Sequence, residues 1–173
     1  ITDADGNPLN YKMRQLSYDK SLEFSALPRR FREKICSGSV RNHTEIEYKC
    51  YSTENGSKQK YISASRFLGP GISLSFVVRS RTNNRLKFPL KVVFRKTNHG
   101  PITPEDERDV EQEGVVRYLR KEKVSKYDRS FHPVSTVEIP ESTLYRGLHT
   151  MKCQVYDSDG ILLFRDWIGV MIK

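Results

Sequence analysis

Cysteine is scarce. Three stand in 173 residues, at Cys36, Cys50 and Cys153, and no pair has CxxC spacing. A zinc or thioredoxin-type centre is therefore not expected. Histidine is nearly as rare. His43, His99, His132 and His149 never fall at metal-ligand spacing, and there is no HExxH, so no metal site is expected. GxSxG, P-loop and GxGxxG patterns are missing, and "GPG" at 69–71 reads as a turn. No apolar run approaches the ~18 residues of a membrane-spanning helix. There is no internal repeat and no low-complexity tract. The chain begins at Ile1 and shows no secretory leader, which reads as a processed or trimmed form whose targeting segment could already be gone.

The chain has a clear excess of positive charge. Thirty Lys and Arg against 21 Asp and Glu leave +9. That balance suits an anionic partner, whether nucleic acid, lipid head group or acidic glycan, or else solubility alone. Hydrophobic residues make up 36% of the chain, enough for a core at this length.

Period-two alternation dominates after residue 30. Ile46, Tyr48 and Cys50 share one side of a run whose other side is Glu45, Glu47 and Lys49. An Asn55-Gly56 turn and "KQKYISAS" follow, which predicts a hairpin. Residues 72–81 alternate through Ile72, Leu74, Phe76 and Val78, and 86–95 through Leu86, Phe88, Leu90, Val92 and Phe94. With Asn83-Asn84 between them, these two runs predict a second hairpin, and Pro89 marks an edge or a bulge. Thr103-Pro104-Glu105-Asp106 has the form of a helix start, so at most one short helix is expected near 104–113. Val115, Val116 and Tyr118 favour a strand, and "STVEIP" at 135–140 predicts another, stopped by Pro140.

The clearest unit is the last. Met151, Cys153 and Val155 alternate with Lys152 and Gln154 ahead of an Asp159-Gly160 turn. Phe164, Ile168, Val170 and Ile172 line one face of the closing strand, with Trp167 on the other. "DSDG" at 157–160 shares part of a calcium loop, but Ile161-Leu162-Leu163 follows at once and no Glu completes the set, so a turn is expected. Many short strands with few helix signals predict a mainly β protein, an antiparallel β-sandwich. Residues 1–30 are the least periodic, an N-terminal extension or early strand ahead of a domain over 31–173.

The stretch "VEIPESTLYRGLHTMKCQVYDSDGILLFRDWIGV" resembles the closing strands of immunoglobulin-like and fibronectin-like domains of cell-surface and bacterial envelope proteins. The resemblance implies an immunoglobulin-like sandwich in which Tyr145 serves as a corner tyrosine. It departs from the antibody pattern in lacking Cys…Trp…Cys spacing and in placing His149 after the glycine corner. It covers about a fifth of the chain.

Candidate sites are few. Cys36 and Cys50 flank "SGSVRNHTEIEYK", a loop that a disulfide would close with roughly 3 kcal/mol of stabilisation. Three reduced, partly buried thiols are the other reading. Cys153 alternates with apolar residues and reads as core. The acids of "EDERDVEQE" read as a solvated face. If 72–81 and 85–96 form a hairpin, Arg79, Arg81, Lys87, Lys91 and Arg95 share an anion-binding face. That face lacks interleaved aromatics, because Phe76, Phe88 and Phe94 point to the core, and a solvated sheet surface has the same alternation. Trp167 marks a protein-binding position on the last strand.

These residues together predict a non-enzymatic, secreted or cell-envelope module, extracellular, periplasmic or on the cell surface. It would act by protein–protein contact, with an anionic ligand for its basic face and no cofactor. The alternative is a basic nucleic-acid-binding protein that makes phosphate contacts.

Overall fold

The computed structural model describes residues 40–41, 45–81, 85–99, 103–121 and 134–173. The described chain is mainly β and forms two sheets with one core between them. Its strands are β1 Val40–Arg41, β2 Ile46–Glu54, β3 Ser57–Tyr61, β4 Phe67–Leu68 and β5 Ser73–Arg81, then β6 Leu90–Asn98, β7 Val115–Leu119, β8 Val134–Ser142, β9 Gly147–Tyr156 and β10 Leu162–Ile172. A six-stranded sheet runs β1-β10-β9-β6-β7, with β4 parallel to β10, and a four-stranded sheet runs β3-β2-β5-β8.

Two expected hairpins form for the expected reasons. Asn55 (φ 51°) and Gly56 (φ 76°) both adopt the left-handed conformation that joins β2 to β3 through the Glu54–Ser57 pair. Between β9 and β10, Gly160 takes φ 81°, and Asp157 Oδ1 accepts the backbone N–H groups of Asp159 and Ile161, each at 2.9 Å. That carboxylate is occupied in building the turn.

The hairpin expected between 72–81 and 86–95 does not form. β5 pairs with β2 and β8 in one sheet, while β6 pairs with β7 and β9 in the other. Alternation reports which side of a strand faces the core, and it cannot report which sheet the strand joins. Asn83-Asn84 lies outside the described residues. The strand also starts late, at Leu90, directly after Pro89. β8 runs through Pro140 instead of stopping there; it is the edge strand of its sheet, where a missing N–H is tolerated.

Residues 104–109 make one turn and no more. The N–H groups of Glu107 and Arg108 donate to the Pro104 carbonyl at 3.0 and 2.9 Å. The chain then reverses at Asp109 (φ 59°), whose N–H donates to the Asn98 carbonyl, and bridges back to β6 at Thr97 and Asn98. Acids at its start do not suffice for a helix without an apolar stripe, and Val110 is exposed. There is no helix among the described residues, and so none long and apolar enough to cross a membrane.

The core is aromatic at its centre. The Tyr48 ring on β2 lies 6.4 Å from Phe76, 6.2 Å from Phe94 and 6.4 Å from Phe164, which joins both sheets. Its hydroxyl crosses to the other sheet and donates to the Met151 carbonyl at 3.0 Å. Burial first, then the neighbouring Cys153 and Cys50, push the Tyr48 hydroxyl well above its ordinary range. The outer edge of β10 is closed at both ends by β1 and β4. Between them the Ala64 N–H donates to Gly169 O, and the Gly169 N–H donates to Ser63 Oγ. Such cover blunts an otherwise open edge.

Candidate functional site

The inward rows of three strands turn from apolar to polar at one end of the molecule. On β6, Leu90, Val92 and Phe94 give way to Lys96 and Asn98. On β9, Val155, Cys153 and Met151 lead to His149. On β8, Ile139 is followed by Glu141. Those polar groups meet Leu74, Phe76, Val170 and Ile172 around a cavity of about 100 Å³ between the sheets. A mostly apolar hollow with a few convergent polar groups has the lining of a small-molecule site, but at about 100 Å³ it is smaller than the usual ~300–1,000 Å³.

His149 is the buried centre of this site, 8% exposed. It stands directly opposite Asn98 in the β6–β9 ladder, which puts both side chains on one face. Its Nε2 lies 2.6 Å from the Tyr145 carbonyl and its Nδ1 lies 2.8 Å from the Asn98 carboxamide. A carbonyl only accepts, so Nε2 carries the proton in neutral imidazole and Nδ1 accepts. The Asn98 carboxamide then turns its NH₂ toward Nδ1, a half-turn that leaves its shape unchanged. Burial lowers the His149 pKa to about 4; the bond to Tyr145 opposes that shift and the charge of Lys96 adds to it. The site therefore holds a neutral imidazole at neutral pH.

Lys96 and Glu141 form the rim. Their side chains meet at 3.1 Å and belong to different sheets, so this ion pair spans the mouth. Both are about one-third exposed, a setting in which such a pair contributes at most about 1 kcal/mol. The segment between β8 and β9 is pinned separately. The Thr143 hydroxyl accepts the Ile72 N–H and donates to the Gly69 carbonyl, each at 2.8 Å.

Both imidazole nitrogens and the rim charges are already partnered, so a ligand would enter by displacing one of these bonds; the adjacent thiol is unsuited to covalent chemistry. Cys153, four residues from His149 on β9, is fully buried, and burial pushes its thiol well up. A second buried pair joins His99 Nδ1 to Asp109 Oδ1 at 2.8 Å. It ties the 103–111 segment back to β6, with the Arg108 guanidinium donating to the Thr103 carbonyl. Among the described residues no group of three His, Cys, Asp or Glu side chains is placed to hold a metal ion.

The five basic residues singled out in the sequence are divided. Arg79 and Arg81 lie on the four-stranded sheet, whereas Lys91 and Arg95 lie on the outer face of the six-stranded sheet. Lys87 precedes β6 and pairs with Asp159 at 2.6 Å. Arg95 approaches Glu111 at 3.7 Å, and Glu111 also takes Lys152 at 2.7 Å. Trp167 faces outward, half-buried, with the Arg165 guanidinium 5.8 Å from its ring centroid. Cys50 is a free, buried thiol whose pKa burial raises to about 12. Cys36, and with it the Cys36–Cys50 pairing, lies outside the described residues.

The described residues form two β-sheets with a small cavity between them, and the comparisons with known proteins place the chain in a family. The chain belongs to the family described as the adenylyl/guanylyl and SMODS C-terminal sensor domain, whose model matches residues 17–173. It is 30% identical, over 178 residues, to a cytidylate cyclase of Escherichia coli. That match takes in 100% of this chain and 38% of the relative, so the chain spans well under half of that relative's length. Among solved structures, the soluble domain of PmoD from Methylocystis sp. is similar at 14% identity and a TM-score of 0.41, covering 78% of this chain and 96% of that one, a likeness too distant to bear on function.

Family and relative overturn the expected immunoglobulin-like or fibronectin-like cell-surface module, and with it the secreted, cell-envelope role. They equally overturn the expected non-enzymatic role, because the relative is a cytidylate cyclase. The resembling stretch is a well-formed β-hairpin, a pattern common to many β folds, and fold alone does not fix function.

Proposed function

We propose that this chain is the sensor domain of a nucleotide cyclase, and that the inter-sheet pocket around His149 receives its small-molecule ligand. One observation carries the reading: a neutral, buried imidazole held by Asn98 and Tyr145 lines a mostly apolar cavity with an ion pair across its mouth. Buried polar groups grouped at a cavity are costly to maintain for packing alone. The sensor-domain family and the kinship to a cytidylate cyclase support the signalling context. In this reading the ligand is sensed here, and nucleotide cyclisation belongs to the enzyme the domain serves.

For the fold, the finer reading is a sandwich with immunoglobulin-like strand order. The sequence β10-β9-β6-β7 facing β2-β5-β8 supports it.

The test fills the cavity. Val170→Phe places a ring where Val170 now lines the pocket. Small molecules would be screened by thermal shift against the unmodified chain, and hits compared with the variant. Hits that stabilise the unmodified chain but not Val170→Phe support the site. In the intact protein that carries this chain, the same substitution should abolish any response of nucleotide cyclisation to those hits. Hits that act equally on both proteins refute it.

A further inference from the structure

The outer face of the six-stranded sheet holds a second arrangement, independent of the inter-sheet pocket. Lys91 on β6 stands directly opposite Tyr118 on β7 and directly opposite Tyr156 on β9. Directly opposed residues share a face, so a lysine stands between two tyrosines in one row. All three line a groove of about 530 Å³ with Pro89, Val93 and Arg95. Tyr118 is 49% exposed, whereas Val93 beneath is 4% exposed, so the groove has a closed apolar floor and open aromatic flanks.

A glycine sets its depth. A Cβ at Gly114 would stand 2.7 Å from Val93 Cγ1 and 3.4 Å from Arg95 Cγ. Only a residue without a side chain lets the approach to β7 lie this low across the floor. The charges are unequally compensated. Glu111 serves Lys152 and approaches Arg95, and Asp159 serves Lys87. Asp157 at the rim spends one carboxylate oxygen on its own turn. Lys91 is exposed and forms no ion pair with a described residue.

Aromatic flanks around an unpaired cation recognise a ligand with a flat π-face and an anionic group. We propose that this groove binds a nucleoside phosphate, the base stacking on Tyr118 and Tyr156 and the phosphate held by Lys91 with Arg95. The volume falls within the usual range for small-ligand sites. A surface designed only for solubility has no need of two tyrosines flanking a lysine over a buried valine.

The test is equilibrium titration of the full chain with CMP, UMP, AMP and GMP, read by tyrosine fluorescence, with ribose 5-phosphate as the base-free control. At least one nucleotide should bind at least tenfold more tightly than ribose 5-phosphate. Tyr118→Ala and Lys91→Gln, both at exposed positions, should each weaken binding at least fivefold with the far-UV spectrum unchanged. Arg79→Gln on the other sheet should leave it unchanged. Equal binding of nucleotides and ribose 5-phosphate overturns the proposal, because the face would then be selecting charge alone. Undiminished binding by Tyr118→Ala, or no nucleotide binding at all, overturns it as well.

Discussion

The protonation of His149 sets a pH window in which the pocket end of the fold should loosen. In the folded chain its pKa is about 4, against an ordinary value of 6.5. The unfolded chain therefore takes up a proton between these values that the folded chain refuses, so the neutral imidazole's contribution is complete above pH 6.5 and is lost as pH falls toward 4. For a shift of this size, the loss between pH 7 and pH 4.5 is about 2.5 kcal/mol. Glu54, held near 2 first by its hydrogen bond from Arg66, then by that from Ser52, titrates below this window in the folded state. The measurement is a difference between two proteins, which cancels every contribution they share. Urea unfolding at half-unit steps from pH 7.5 to 4.5 would compare the chain with His149→Gln. The variant should be less stable at pH 7, and its deficit should shrink by about 2 to 3 kcal/mol by pH 4.5. Parallel pH profiles for the two proteins would refute the reasoning, since they would mean that the buried imidazole accepts its proton without cost.

Gly114→Ala should destabilise the chain by about 1–3 kcal/mol in urea, because the new methyl collides with Val93. Thr143→Val removes both the hydroxyl that accepts the Ile72 N–H and the donor to Gly69; a loss of about 1–3 kcal/mol is expected by the same measurement. Tyr48→Phe deletes the bond between the sheets and should cost about 1 kcal/mol with the fold retained. Cys50 and Cys153 should react with a thiol reagent at least a hundredfold more slowly in native buffer than in denaturant, and equal rates would contradict their burial.

Local chemistry was legible where it was self-sufficient. Asn55-Gly56 and Asp159-Gly160 dictate their turns through positive φ, so both hairpins could be read directly. Pairing over distance was not legible. β5 and β6 both alternate cleanly, and only the ladder to β9 shows that β6 belongs to the other sheet. The helix start at Thr103-Pro104 was read from its cap residues, and the exposed Val110 shows why those residues do not carry a helix further. The pocket left a faint trace: Lys96 and Asn98 continue the inward parity of Val92 and Phe94, and His149 that of Met151 and Cys153. Polar residues holding core parity at the end of a strand look like solvent-facing fraying until the neighbouring strands are aligned. The aromatics of the basic face were missed for a similar reason. The strand that carries Lys91 has none pointing outward, and Tyr118 and Tyr156 arrive from strands on either side.

The two candidate sites divide the same two strands between them. Asn98 and His149 pair at one end of the β6–β9 ladder and point inward; Lys91 and Tyr156 pair at the other end and point outward. Seven residues of strand separate Lys91 from Asn98, about 23 Å at the usual rise. The odd offset puts them on opposite faces. The four-stranded sheet takes part only in the inner site, through Leu74, Phe76 and Glu141. A ligand that breaks the Lys96–Glu141 pair acts on how the two sheets meet, whereas a nucleotide on the outer face touches one sheet alone. The inner site is therefore the one placed to change the relation between sheets, as the proposed sensor role requires, and the outer groove is placed to respond to it only through the shared strands β6 and β9. Coupling between the sites must be reciprocal if it exists: a ligand in the inner pocket would alter nucleotide affinity by the same factor as the nucleotide alters that ligand's affinity.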